Sequence, residues 1–257
     1  MRKIRPPAGI PVLHETVETL RLQHHLTREA LARLADMPLS TVDRICQNRH
    51  RPTPANLTKL LRVLNLDTWQ HRHLHELFES AAPLPSTDEL RGLLSGPAIT
   101  DHLDHYDNRD ILVVYFDPLR TVLTANRAFH RVVPGLEHVE DNFALWLFTP
   151  TARTILDNWE AEALRLVTTL RAALGHHRDS PRAHHLFRQL RAYPEFNRLW
   201  ETTAGHVTYG RRPPTPMHLH TPDTHEHRTL CFEVHEFGGH TDIHVIHATY
   251  DPPAPTG

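Results

Sequence analysis

Apolar and polar positions divide the chain into two differently built parts. In the first eighty residues, apolar side chains recur every three or four positions, the period of an amphipathic helix. Leu13, Val17 and Leu20 make one stripe, and Ala30, Leu31, Leu34 and Ala35 make a second. Val42, Ile45 and Cys46 follow, then Leu57, Leu60, Leu61 and Leu64, then Leu74, Leu77 and Phe78. The spacing predicts five short helices around one small core. Thr27 is a suitable N-cap, and Thr53 followed by Pro54 places a cap before proline at the first helical position. Asp36 falls in a tight turn that needs a residue tolerant of a left-handed backbone.

The pattern then changes. "AAPLPSTDELRGLLSGP" is rich in proline and small residues and reads as a linker at 83–98 between a unit at 1–82 and another at 99–252, with a tail at 253–257. "ILVVYF" and "DPLRTVLTAN" predict two short strands around a turn. Ile155, Leu156, Trp159, Ala163, Leu166, Val167, Leu170 and Leu174 predict one long helix over 152–174. Shorter helices follow around Ala183–Arg191 and Glu195–Thr203, then strands at "MHLH", "TLCFEV" and "DIHVIHATY", with "GG" as a hairpin turn between the last two. Strands, helices and strands in that order imply an α+β domain with an antiparallel sheet.

Within the helical part, the third segment has a narrow apolar stripe and a polar remainder formed by Ser40, Thr41, Asp43, Arg44 and Gln47. It follows an amphipathic helix after only a short turn, so it projects as the second helix of a helix-turn-helix. Arg49 and Arg51 stand in the polar loop "QNRHRPTP", a setting that suits phosphate contacts. Charge supports the division. Residues 1–80 hold twelve Lys and Arg against eight Asp and Glu, a surplus of four positive charges, whereas residues 81–257 carry a deficit of six.

Other bulk properties mainly exclude. The longest apolar runs, Ile111–Phe116 and Phe143–Phe148, are six residues each, far short of the ~20 of a spanning helix. The basic start runs into prolines with no apolar stretch, unlike a signal peptide. Cys46 and Cys231 are the only cysteines, which points to a reducing cytoplasm. Arginine supplies 26 of 28 basic residues, alongside 24 His and 21 Pro, the composition of a GC-rich genome.

Residues 12–66, with "TREALARLA", a short turn, "STVDRI" and the polar "RHRPTP", resemble the five-helix DNA-binding domain of XRE-family repressors. By position, the resemblance places Leu39, Ser40, Thr41 and Arg44 at base edges. It places Arg28, Gln47, Arg49 and Arg51 at the phosphate backbone of a double-stranded operator. The chain departs from that family at Asp36, usually glycine, at Pro38, and at Cys46, often glutamate. "VVYFDPLRTVLTANRAF", "NFALWLFTPTARTILDNWEAEALRLVTTLRAALG" and "LRAYPEFNRLW" resemble the PAS-like domain of MmyB-like transcription regulators, which are mostly actinobacterial. The likeness is strongest at Asn126, Asn142–Phe148, Trp159, Phe196 and Trp200. It is weakest at "HLHTPDTHEHRTLCF", where the family's "hP-x-x-G" stretch is absent.

The resemblance implies a regulator sensing a small apolar molecule, with fatty-acyl compounds the family's candidates; the leading reading is a cytoplasmic, homodimeric, ligand-responsive transcription factor with no cofactor. Phe129, Phe143, Trp146, Phe148, Trp159 and Trp200 are the expected pocket residues, since aromatic side chains line such sites. No phosphate-binding glycine loop and no G-x-S-x-G elbow occurs, so an enzyme is not expected. Glu160 and Glu162 are expected on the exposed side of the long helix. His218, His220, His225, His227, His235, His240 and His244 give the alternative reading, a metal-dependent enzyme or metal sensor. Histidine is nevertheless abundant along the whole chain, and the leading reading needs no metal. A third reading is a helix-turn-helix that binds only protein.

Overall fold

The computed structural model describes residues 6–210, 215–222 and 226–251. His225 and the tail at 253–257 lie outside the described residues. The helical unit comprises α1 (Leu13–Gln23), α2 (Arg28–Leu34), α3 (Leu39–Cys46), α4 (Pro54–Val63) and α5 (Thr68–Phe78). Val17, Leu20, Leu31, Val42, Ile45, Leu57, Leu60 and Leu74 close its core. The expected caps are in place: the Thr27 hydroxyl accepts from Ala30 N at 3.1 Å, and that of Thr53 from Asn56 N at 3.2 Å. Asp36 adopts φ +50°, and Lys59 Nζ donates to its carbonyl at 2.9 Å and its carboxylate at 3.0 Å. Leu34 departs from its expected stripe: it ends a two-turn helix and is 52% exposed.

Residues 83–98, read as a linker, are not irregular. They contain α6 (Thr87–Leu93) and the start of α7 (Pro97–Asp107). Ser86 and Glu89 form a capping box at α6, and Leu90 and Leu94 are buried against the sheet. The helix was masked by its length, because seven residues give too few turns for a periodic signal.

The sheet contains β1 (Leu112–Phe116), β2 (Val122–Ala125), β3 (Met217–His220), β4 (His227–Phe237) and β5 (His240–Tyr250). It is curled and antiparallel, ordered β2-β1-β5-β4-β3, so the first strand of the domain pairs with the last. All five residues of β1 are buried because both faces are covered. Val113, Tyr115, Ile243 and Val245 meet α6 and α7, while Leu112, Val114, Phe116 and Ala248 face the opposite helical layer. Gly238 and Gly239, at φ +55° and +80°, make the two-residue turn between β4 and β5.

That layer comprises α8 (Arg127–Val132), a short 3-10 turn at Leu136–Val139, α9 (Phe143–Trp146), α10 (Pro150–Ile155), α11 (Trp159–His176), α12 (Pro181–Leu190) and α13 (Pro194–Thr202). The single long helix expected over 152–174 is two. Leu156 turns extended and bridges Leu219, Asp157 N donates to His218 O at 3.1 Å, and Asn158 caps α11. Edge strand β3 thus captures the backbone where the helical period continues through. Among the described residues no helix is long and apolar enough to cross a membrane.

Candidate functional site

Two sites follow from this framework. On the helical unit, α3 buries Val42, Ile45 and Cys46 and presents its other side outward. Leu39, Ser40 and Arg44 are exposed at that surface, with Thr41 half-buried beside them. Gln47 and Arg49 are exposed just beyond it. No ion pair engages Arg44 or Arg49 among the described residues, so both guanidinium groups are available to an anion.

Arg28 and Arg51 are placed differently. Arg28 reaches Glu18 at 3.0 Å and Asp43 at 3.5 Å, so two carboxylates already hold its charge. Arg21 also reaches Glu18, at 2.6 Å, and this contact is the main reason the Glu18 carboxyl is held down to about 2. Burial, reinforced by Glu18, pushes the Cys46 thiol up to about 12. Arg51 donates to the Phe78 carbonyl and stacks over its ring at 4.7 Å. These links from α1 to α3, and from the polar loop to α5, were invisible in the sequence, where both arginines read as free cations.

The second site is a cavity of about 500 Å³ between the sheet and the helical layer, in the size range of small-molecule pockets. Its sheet wall is built in rungs by strand register. Leu112, Ala248 and Phe232 form one rung, Val114, Ile246 and Val234 the next, and Phe116, His244 and Glu236 the third. Beyond the third rung stand Arg120, Thr241 and Asp242. The wall therefore grades from fully apolar to ionisable along a single direction.

Arg120 has φ +67° and forms no side-chain ion pair among the described residues; burial lowers its pKa. Its neighbour Asp117 is taken by Arg182. Burial also lowers the pKa of His244, and the Arg120 charge adds to the effect. Phe129 and Phe143 line this cavity, as do Leu147, Leu166 and Met217, which were not among the expected pocket residues.

Four of the six expected pocket residues are core instead. Trp146 donates its indole N–H to Pro134 O at 2.8 Å, and Trp159 donates to Leu147 O at 2.6 Å. Phe148 packs edge-on against Trp159 and Phe196, while Trp200 stacks on Phe196 and lies under Arg171. Aromatic composition alone does not separate an indole that ties two loops together from one facing a void. Glu162, expected in solvent, is buried at the cavity wall beside Arg165 at 3.2 Å.

The helical unit meets the second domain at the cavity. Arg72 and Glu76 of α5 also line the cavity. Tyr209 donates to Glu76 at 2.5 Å and lies under the Arg72 guanidinium, 3.9 Å from ring to cation. Gln70 Nε2 donates to Gly205 O at 3.0 Å, and Ala82 N donates to His176 O at 2.9 Å. The segment before residue 211 thus straps α5 to α11 beside the cavity.

The expected histidine group disperses. His220 and His227 meet Asp157, His218 bonds Thr229, and His244 faces the cavity. His235 lies near His247, and His240 stacks on Phe237 at the β4–β5 turn.

An exposed helix-turn-helix joined to a domain with an apolar cavity defines a DNA-binding regulator with a ligand-binding domain. The chain belongs to the MmyB-like transcription regulators: residues 96–256 match the MmyB-like transcription regulator ligand binding domain, and residues 17–68 match a helix-turn-helix. No curated protein matches it. Both matched domains are those of a transcription regulator rather than an enzyme.

Proposed function

We propose that the protein is a cytoplasmic, homodimeric regulator in which an amphiphilic acid, of fatty-acyl type, fills the cavity and alters operator binding through α5. The unit at 1–82 reads DNA, the unit at 99–252 holds the ligand, and 83–98 joins them. The observation that carries this reading is the presence of Arg72 and Glu76, from the DNA-binding unit, in the wall of the ligand cavity. A ligand there touches both units, so it can favour one arrangement over another by differential contact.

The graded wall favours an acyl chain along the two apolar rungs and an acidic head toward Arg120. From Leu112 to Phe116 the wall extends roughly 13 Å, enough for a medium-length chain. A carboxylate beside Arg120 would supply the direct ion-pair partner that the cation lacks among the described residues. On the DNA side, Leu39, Ser40, Thr41 and Arg44 face the bases, with Gln47 and Arg49 at phosphates. Arg28 and Arg51 join them when a phosphate displaces Glu18 or the Phe78 carbonyl. Two copies would read half-sites about 34 Å apart or a multiple of that.

Mass spectrometry of small molecules extracted from the purified protein tests the ligand assignment. A monocarboxylic acyl compound at near-stoichiometric amount is expected, and it should be lost from Arg120→Leu. A neutral or cationic ligand would remove the acid from the reading.

A further inference from the structure

Outside both sites, the edge of the sheet carries a group of donors that neither function uses. His220 and His227 are register partners, one on β3 and one on β4. Their rings lie 4.0 Å apart between centroids. Asp157, from the break between α10 and α11, places one carboxylate oxygen 2.9 Å from His220 Nε2 and the other 3.2 Å from His227 Nδ1. Donor atoms from all three residues lie within 4.8 Å of one another.

We propose that Asp157, His220 and His227 form a binding site for a borderline divalent transition-metal ion such as Zn²⁺. Two imidazole nitrogens and one carboxylate oxygen are a ligand set of this class, and three protein ligands leave a coordination position for water. The donors converge because backbone hydrogen bonds hold their positions. Cross-strand pairing fixes the two histidines, and Leu156–Leu219 bridging with the Asp157 N to His218 O bond fixes the aspartate. Among the described residues, the Asp157 carboxylate meets no Lys or Arg within ion-pair distance, so a cation would supply the charge it lacks. The site opens to solvent, with the side chains of Asp157, His220 and His227 26%, 33% and 75% exposed, which gives an ion a route in. His218, on the same face of β3, is bound to Thr229 and stands outside the group.

A bound ion would pin edge strand β3 to the start of α11. Met217, on the opposite face of the same strand, lines the cavity. The proposal does not depend on what fills that cavity.

The test uses full-length untagged protein stripped with chelator. Zn²⁺ is titrated calorimetrically, and Co²⁺ binding is followed by visible absorption. One equivalent is expected to bind. Asp157→Asn, His220→Gln and His227→Gln should each weaken it by more than about tenfold, as loss of a direct ligand must at least match loss of an outer hydrogen bond. His218→Gln should bind like the parent, and thermal melts of the metal-free variants should establish that each folds. Absence of a one-equivalent site, or a loss confined to one of the three variants, overturns the proposal. Parent-like binding by all three would assign the metal to other histidines and overturn it equally.

Discussion

Gly175 on α11 lies against His73 on α5 so closely that a Cβ at position 175 would stand 2.6 Å from the imidazole Cε1. The same Cβ would meet Leu77 at 3.1 Å and Pro11 at 3.3 Å. All three neighbours come from the DNA-binding side of the molecule or the segment leading into it. The contact between the two units therefore depends on a missing side chain at one position in the middle of a packed surface.

Gly175→Ala is expected to separate α5 from α11. Overpacking of this kind costs about 1–3 kcal/mol, which outweighs the gain of up to about 1 kcal/mol from replacing glycine in a helix. Gly92→Ala is the control, since nothing lies within 4 Å of a Cβ there. Thermal melting should show the first variant destabilised and the second unchanged or improved. Equal melting temperatures for both would mean that the α5–α11 contact is loose.

The same contact makes stability sensitive to acid. His73 is 1% exposed, neither ring nitrogen has a hydrogen-bond partner among the described residues, and burial, with Arg171 and Arg178 nearby, lowers its pKa from 6.5 to about 3. The folded state holds His73 neutral, while the unfolded chain takes up a proton below its ordinary value. Its contribution is thus fully present above about pH 6.5 and is lost as pH falls toward 3. One such group costs about 1.4 kcal/mol per pH unit in that window. Burial lowers His177, His244, His102 and His247 in the same direction. Denaturant unfolding at about pH 7 and about pH 5 should show the loss, with a shallower slope in His73→Leu. An unchanged slope in that variant would place the acid sensitivity elsewhere.

Asn126 ties the sheet to the helical layer. Its Oδ1 accepts from Val113 N and Phe129 N, both at 3.1 Å, and its Nδ2 donates to Ile111 O at 2.7 Å. Asn126→Ala removes a helix cap and strands a buried N–H of β1, a loss of about 2–4 kcal/mol. Asn126→Asp keeps the acceptor and should recover part of it. A melting temperature within a degree or so of the parent for Asn126→Ala would show that water replaces the side chain.

At the DNA surface, Arg44→Ala should cost about 1–3 kcal/mol on a specific operator and relax preference at one base. Arg49→Ala should weaken all sequences alike and reduce the salt slope by about one unit. Arg28 and Arg51 should lower the slope only where DNA displaces their internal contacts. Titrations at several salt concentrations separate these behaviours; equal losses on specific and random DNA would demote Arg44 to a phosphate contact.

Much of the architecture was legible because its elements repeat a period over enough residues. The helix-turn-helix, the strands at Leu112–Phe116 and His240–Tyr250, and the Gly238–Gly239 turn all carried local signals. The short helix at Thr87–Leu93 did not, having only Leu90 and Leu94 to mark its buried side. The break at Leu156 arises from pairing with Leu219, a contact made across more than sixty positions in sequence. The cavity was the least legible. Its sheet wall comes from register between strands at opposite ends of the domain, so Arg120 and His244 become neighbours only after folding. Residue type favoured Trp146 and Trp159, whose indole N–H groups are instead consumed within the core.

One titration measures the coupling between the cavity and the DNA surface. The affinity of the full-length protein for a labelled operator should be measured with and without a saturating acyl acid whose binding is established by thermal shift. Operator affinity should change by at least about fivefold, and acid affinity by the same factor when operator is present, because coupling is reciprocal. Tyr209→Phe, which cuts the strap from Glu76, should reduce that factor while both separate affinities persist. Operator affinity that stays constant while the acid is demonstrably bound would mean that the cavity and the DNA surface are not coupled.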